Sequence, residues 1–233
     1  MGIRKTIVAA CFGSLFAAVF APREAAAQTI PPIAERDKNW DAVTNVTTVV
    51  GASTVFLMPR VYYSDPEATV GWKGRWHVSS FAPGMTMTAL TLFVNGPIRN
   101  AIKSNRPGCT TEQTRAAIIG SECESYGGPS TQAFASFGAT GAGLGIFLVD
   151  TFKYSDGRFN VPSFLGNLAV PLTLSVLTAV GRTVEPGTAQ AFESPGQVVA
   201  GALPGFFSGM LIGFGYAMLQ KPSCGYGNSV ICW

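Results

Sequence analysis

Residues 131–149 read TQAFASFGATGAGLGIFLV, a stretch without a single Asp, Glu, Lys or Arg. Residues 163–181 (SFLGNLAVPLTLSVLTAVG) and 195–220 (PGQVVAGALPGFFSGMLIGFGYAMLQ) are equally free of charge. Each is close to the roughly 20 residues that a helix needs to cross the hydrocarbon of a bilayer. A soluble domain buries one such helix; burying three, none with a charged outer face, is not a water-soluble solution. The expectation is an all-α membrane helical bundle. Two weaker candidates come first: residues 42–58, rich in Val and Thr, and residues 78–94, interrupted by Pro83-Gly84. Together they make about five transmembrane helices. Charged residues form 12% of the chain, against about 25% in soluble proteins.

The N-terminus reads as an export signal. Arg4 and Lys5 precede an apolar run, residues 6–21, and Ala25-Ala26-Ala27 supplies small residues for cleavage. Pro22-Arg23-Glu24 interrupts the run and favours cleavage over retention as an anchor. The division is then a signal peptide, residues 1–27, and a single helical membrane domain, residues 28–233. Without Arg4, Lys5, Arg23 and Glu24 the chain is close to neutral, so no nucleic-acid partner is implied. Residues 62–77, with Trp72, Lys73, Arg75 and Trp76, either lie at the membrane surface or pack under the bundle.

Counting helices from an exported start brings three helix ends to the extracytoplasmic face. They are the end of the second helix, the start of the third and the end of the fourth. Cys109 and Cys123 lie on the polar loop there, in an oxidising compartment, and are expected to be bridged. Cys224 and Cys232 fall on the other side, which does not favour a disulfide.

Those same helix ends carry charge. Arg99 and Arg106 stand where an apolar stretch emerges, Arg182 ends another, and Ser130 opens a third. Free N–H groups and the dipole at a helix start favour an anion, and guanidinium forks suit phosphate oxygens. Arg99, Arg106, Ser130 and Arg182 are therefore the candidate anion-binding set; the plainer reading is cationic helix ends reaching toward lipid headgroups. On the last helix Gly201, Gly205, Gly209 and Gly213 repeat every four residues and line one face. Such stripes let backbones approach closely in lipid, either inside one bundle or against a protein partner in a membrane assembly.

The polar residues also form an ordered set: Arg99-Asn-Ala-Ile-Lys-Ser-Asn-Arg106-Pro107, then Pro129-Ser130-Thr131-Gln132, then Gly181-Arg182 followed by Pro195-Gly196-Gln197-Val198-Val199-Ala200-Gly201. This resembles the three motifs of the type-2 phosphatidic acid phosphatase and vanadium haloperoxidase superfamily, written K-x6-RP, PSGH and SR-x5-H-x3-D. The resemblance runs from Arg99 to Gly201 in the right order and implies the lipid-phosphatase-like helical fold. It also implies that the arginines and Ser130 hold phosphate.

The chemistry that the resemblance implies is missing. In the family one histidine attacks phosphorus, an aspartate orients it, and a second histidine protonates the leaving oxygen. Here Gln132 stands at the second-motif histidine and Thr131 at the glycine. Aligning Pro195 to Gly201 puts Glu193 at the nucleophile and Gln197 at the aspartate; an ungapped count from Arg182 gives Thr188 and Phe192. The chain's one histidine, His77, precedes every motif and reads as an interfacial or packed residue. Glutamine does not transfer a proton near neutral pH.

No catalytic residue is therefore assigned, and no cofactor. No His, Cys or carboxylate cluster has metal-ligand spacing. The expected function is a non-catalytic membrane protein that binds a phosphorylated lipid headgroup, such as an anionic phospholipid, or serves as a subunit of a membrane assembly. The alternatives are an active lipid-phosphate phosphatase with Glu193 as an unusual nucleophile, and a scaffold whose arginines only touch headgroups.

Overall fold

The computed structural model describes residues 36–57, 78–116, 123–155, 157–185, 187 and 189–219. The expected signal peptide, the segment 62–77 with its tryptophans and His77, Thr188, and the pair Cys224 and Cys232 lie outside these residues.

Helix α1, Lys38–Phe56, begins where the Asp37 carboxylate accepts from the backbone N–H groups of Asn39 and Trp40 at 2.8 and 3.3 Å. That cap satisfies donors a helix start leaves without partners. Helix α2, Val78–Phe93, continues through a π turn, Val94–Ile98, into Arg99–Ile102. Pro97 has no N–H to return to the carbonyl one turn back, and the wider turn absorbs the gap. Lys103, in the left-handed region at φ 54°, ends the helix. A short α3, Thr111–Ala116, follows, and then α4, Thr131–Phe152. Helix α5 runs from Val161–Phe164 through a second π turn, Leu165–Ala169, into Val170–Thr183; α6 is Pro195–Leu219. Among the described residues there is no strand, only one antiparallel bridge between Ser104 and Gly128.

Each of the five expected apolar stretches falls on a long helix: α1, α2, α4, α5 and α6. Three of them, α4, α5 and α6, are long and apolar enough to cross a membrane. Helix α4 is the centre of the bundle, since 72% of its apolar window is buried against 33% for α5 and for α6.

The glycine stripe explains how α6 lies on α4. A Cβ on Gly201, Gly205, Gly209 or Gly213 would collide with the backbone carbonyl of Ser130, Phe134, Gly138 or Ala142 respectively. Both partners step by four residues, so two backbones meet along one seam. Gly141 and Gly145 reciprocate, facing the backbone of Phe206 and of residues 210–214. The stripe therefore serves packing within the chain rather than offering a face to a partner. Gly143 makes the same concession to α5, where a Cβ would strike the Asn167 carbonyl inside the π turn. Pro171 supplies no N–H to that carbonyl, which leaves it free to bulge toward α4.

Polarity is distributed inside out. Val46, Val49, Leu92, Phe207 and Leu211 are all more than half exposed, while Thr44, Thr140, Ser175 and Thr178 are buried. The hydroxyls pair between helices: Thr47 with Thr178 at 2.8 Å across α1 and α5, and Thr140 with Ser175 at 2.9 Å across α4 and α5. Small and hydroxylated residues at helix contacts, with large aliphatics outward, are what lipid favours as a solvent.

Candidate functional site

All the motif residues meet at one end of the bundle. Helices α1, α4 and α6 contribute their N-termini there, and α2 and α5 their C-termini. The elements are tied together by backbone as well as side chains: Ser130 N–H donates to the Gln197 carbonyl at 2.9 Å, and Glu193 N–H donates to the Arg182 carbonyl at 3.0 Å.

Arg182, from the last turn of α5, is the most deeply buried guanidinium among the described residues, 1% exposed. Its Nη1 donates to Asp41 Oδ1 at 2.6 Å and its Nη2 to Glu193 Oε1 at 3.1 Å. The guanidinium carbon lies 4.7 Å from the centroid of the Phe192 ring, and that of Arg36 lies 6.0 Å from the same ring. Glu193 is 0% exposed. Its second oxygen, Oε2, and Arg182 Nε are buried without hydrogen-bond partners. A buried carboxylate engaged through one oxygen only is incompletely compensated.

Arg99 is buried at the end of α2. It donates through Nη1 to Asn95 Oδ1 at 2.6 Å and to Thr131 Oγ1 at 3.4 Å, and through Nη2 to the Tyr126 carbonyl. Thr131 also donates to Asn95 at 3.1 Å. Thr131 thus helps hold an arginine. Arg106 is half-buried on the following loop and reaches Ser125 through Nε and Nη2, both at 3.2 Å. Burial first, then the like charges of Arg36, Arg99 and Arg182, lower the Arg106 guanidinium to about 10 against the pull of Glu193. Arg36 is buried and donates to the Pro107 carbonyl at 3.2 Å. Cys109 and Cys123 are disulfide-bonded, as expected, and close the loop beside it.

The remaining motif residues are structural here. Ser130 is fully buried and caps α4, its Oγ accepting from Ala133 N–H at 3.1 Å. Ser194-Pro195-Gly196-Gln197 is a capping box: Ser194 N–H donates to Gln197 Oε1 at 3.0 Å, and Gln197 N–H donates to Ser194 Oγ at 3.3 Å. Gln197 Nε2 also donates to Ser104 Oγ and the Asn105 carbonyl, at 2.8 and 2.7 Å. Gln197 is therefore a clamp on the loop carrying Arg106. Gln132 is half-buried in the first turn of α4.

The expected set, Arg99, Arg106, Ser130 and Arg182, is thus gathered in one place, with Ser130 engaged as a cap. Arg36, Asp41 and the ring of Phe192 complete the cluster and were not assigned to it from the sequence. Asp41 had a legible signal, as the one acid in α1; Arg36 lay in a mixed-charge segment that said nothing of its direction. Among the described residues no three His, Cys, Asp or Glu side chains gather as a metal site requires. No protein-family model matches the chain, nor does any curated protein or solved structure.

Proposed function

We propose that this chain is a non-catalytic membrane protein of the lipid-phosphatase-like type whose arginine cluster binds a phosphorylated lipid headgroup. The observation that carries the reading is the gathering of four arginines at one end of the bundle. Arg36, Arg99, Arg106 and Arg182 come together near Glu193, and Arg182 also pairs with Asp41. Burial first, and then the neighbouring arginines, disfavour the charged form of Arg106, and a phosphate oxygen beside it offsets both. In this reading α1 and α2 cross the bilayer with the three more apolar helices, after an N-terminal export signal. The cluster then faces the extracytoplasmic side, at headgroup depth.

Chemistry is not part of the reading. Gln132 offers no proton, and Glu193 is buried in an ion pair rather than presented to a substrate. A second reading, an active phosphatase with Glu193 as nucleophile, draws on the unpartnered Oε2 but supplies no acid for the leaving oxygen. The test is binding to vesicles containing phosphatidic acid against vesicles of phosphatidylcholine alone. Saturable, salt-sensitive preference for the anionic vesicles, reduced about tenfold or more by Arg106→Ala, is expected from the loss of a charged hydrogen bond. Equal binding to both vesicles would leave only the scaffold reading.

A further inference from the structure

Glu193 carries a second conclusion. Its side chain sits at the focus of the arginines, bonded to Arg182 at 3.1 Å and acting electrostatically on Arg99 and Arg106. It is wholly buried, and so is Arg182. The fit is imperfect on both sides, because Glu193 Oε2 and Arg182 Nε lack partners. The Glu193 carboxylate has two oxygens on a tethered side chain and engages Arg182 through one of them; an untethered tetrahedral oxyanion can meet Nε and Nη2 of that guanidinium together and still present further oxygens to the other arginines.

We infer that Glu193 is the resident anion of this site: its carboxylate holds the place among the arginines that an external tetrahedral oxyanion fits better. Arg182 is consequently closed to outside ligands in the native chain, and a headgroup reaches only the half-buried Arg106 and its surroundings. Removing the carboxylate converts a closed site into an open one for phosphate or sulfate. This extends the anion reading above, and its test is arranged to fail separately from it.

The experiment is thermal unfolding of the full chain in detergent, with inorganic phosphate titrated against potassium chloride at matched ionic strength. The wild type should show only the smaller phosphate-specific shift that the half-buried Arg106 supplies. Glu193→Ala should melt lower, and phosphate should raise its midpoint saturably by roughly 5–10 °C at about a hundredfold excess over Kd. Glu193→Asp keeps the charge but withdraws it by one methylene, and provides a milder variant with a smaller shift in the same direction if the alanine form does not fold. Absence of a phosphate-specific rise in both variants, or a rise as large in the wild type, overturns the inference. Vesicle binding by the wild type with no rescue of either variant would sink this inference and leave the lipid-headgroup reading standing. Rescue of the variants with no vesicle binding by the wild type would do the reverse.

Discussion

Arg182 shows what a buried guanidinium requires. With 1% exposure it would be intolerable alone, and Asp41 and Glu193 make it tolerable by arriving from two other elements of the chain. Breaking such a set from one side is costlier than the set is worth, because the remaining charge stays buried. Arg182→Ala is accordingly expected to destabilise by about 3–5 kcal/mol, read by denaturant or thermal unfolding in detergent. A loss below about 1 kcal/mol would mean that Glu193 finds water or another cation. Arg106 makes a different prediction. Its folded-state value lies below the ordinary one, so the positive form is disfavoured in the folded chain; that penalty is present below about 10 and relieved as pH rises through it. Anion binding needs the positive form and runs the other way. Affinity for phosphatidic acid should fall as pH passes about 10, with the step missing in Arg106→Gln.

At the scale of elements, the seam between α4 and α6 is the interaction that positions everything else. Four-residue glycine spacing lets the α6 backbone lie on α4, which places Gln197 over Ser130 and brings residues 191–193 to the end of α5. Gly209→Leu should therefore separate the helices: a Cβ there already meets the Gly138 carbonyl. Loss of the folded form, or a midpoint lowered by more than about 5 °C, is expected, while Gly215→Ala, where nothing stands within 4 Å of a Cβ, should be silent.

This seam was half legible in advance. The periodicity showed the stripe, but not whether its partner was this chain or another, since small residues serve both equally well. The spans of α4, α5 and α6 were legible because charge is absent from them. The two π turns were not, as Pro97 and Pro171 mark a broken hydrogen bond without saying how the helix repairs it. In the site, Arg99, Arg106 and Arg182 were legible from motif spacing. The cap made by Ser130 is local, three residues long, whereas the clamp made by Gln197 on Ser104 and Asn105 joins distant parts of the chain, which local pattern does not encode.

For the whole molecule, the end that carries the arginines is also the end that is cross-linked. The Cys109–Cys123 bridge closes a short loop next to Arg36 and Arg106, and loops of that length are stabilised by about 3 kcal/mol on a chain-entropy basis. Reduction, or Cys109→Ser with Cys123→Ser, should weaken vesicle binding more than it disturbs the α4–α6 core. A helix content that collapses on reduction would show instead that the bridge holds the bundle. On the proposed function, this end of the molecule holds a phosphate without acting on it. The direct measurement incubates purified protein with nanodiscs containing labelled phosphatidic acid and follows bound lipid and released phosphate in the same sample. Stoichiometric retention of the lipid, with phosphate release at the rate of protein-free nanodiscs, is the predicted result. Release above that rate, abolished by Glu193→Gln, would contradict it and make Glu193 a nucleophile.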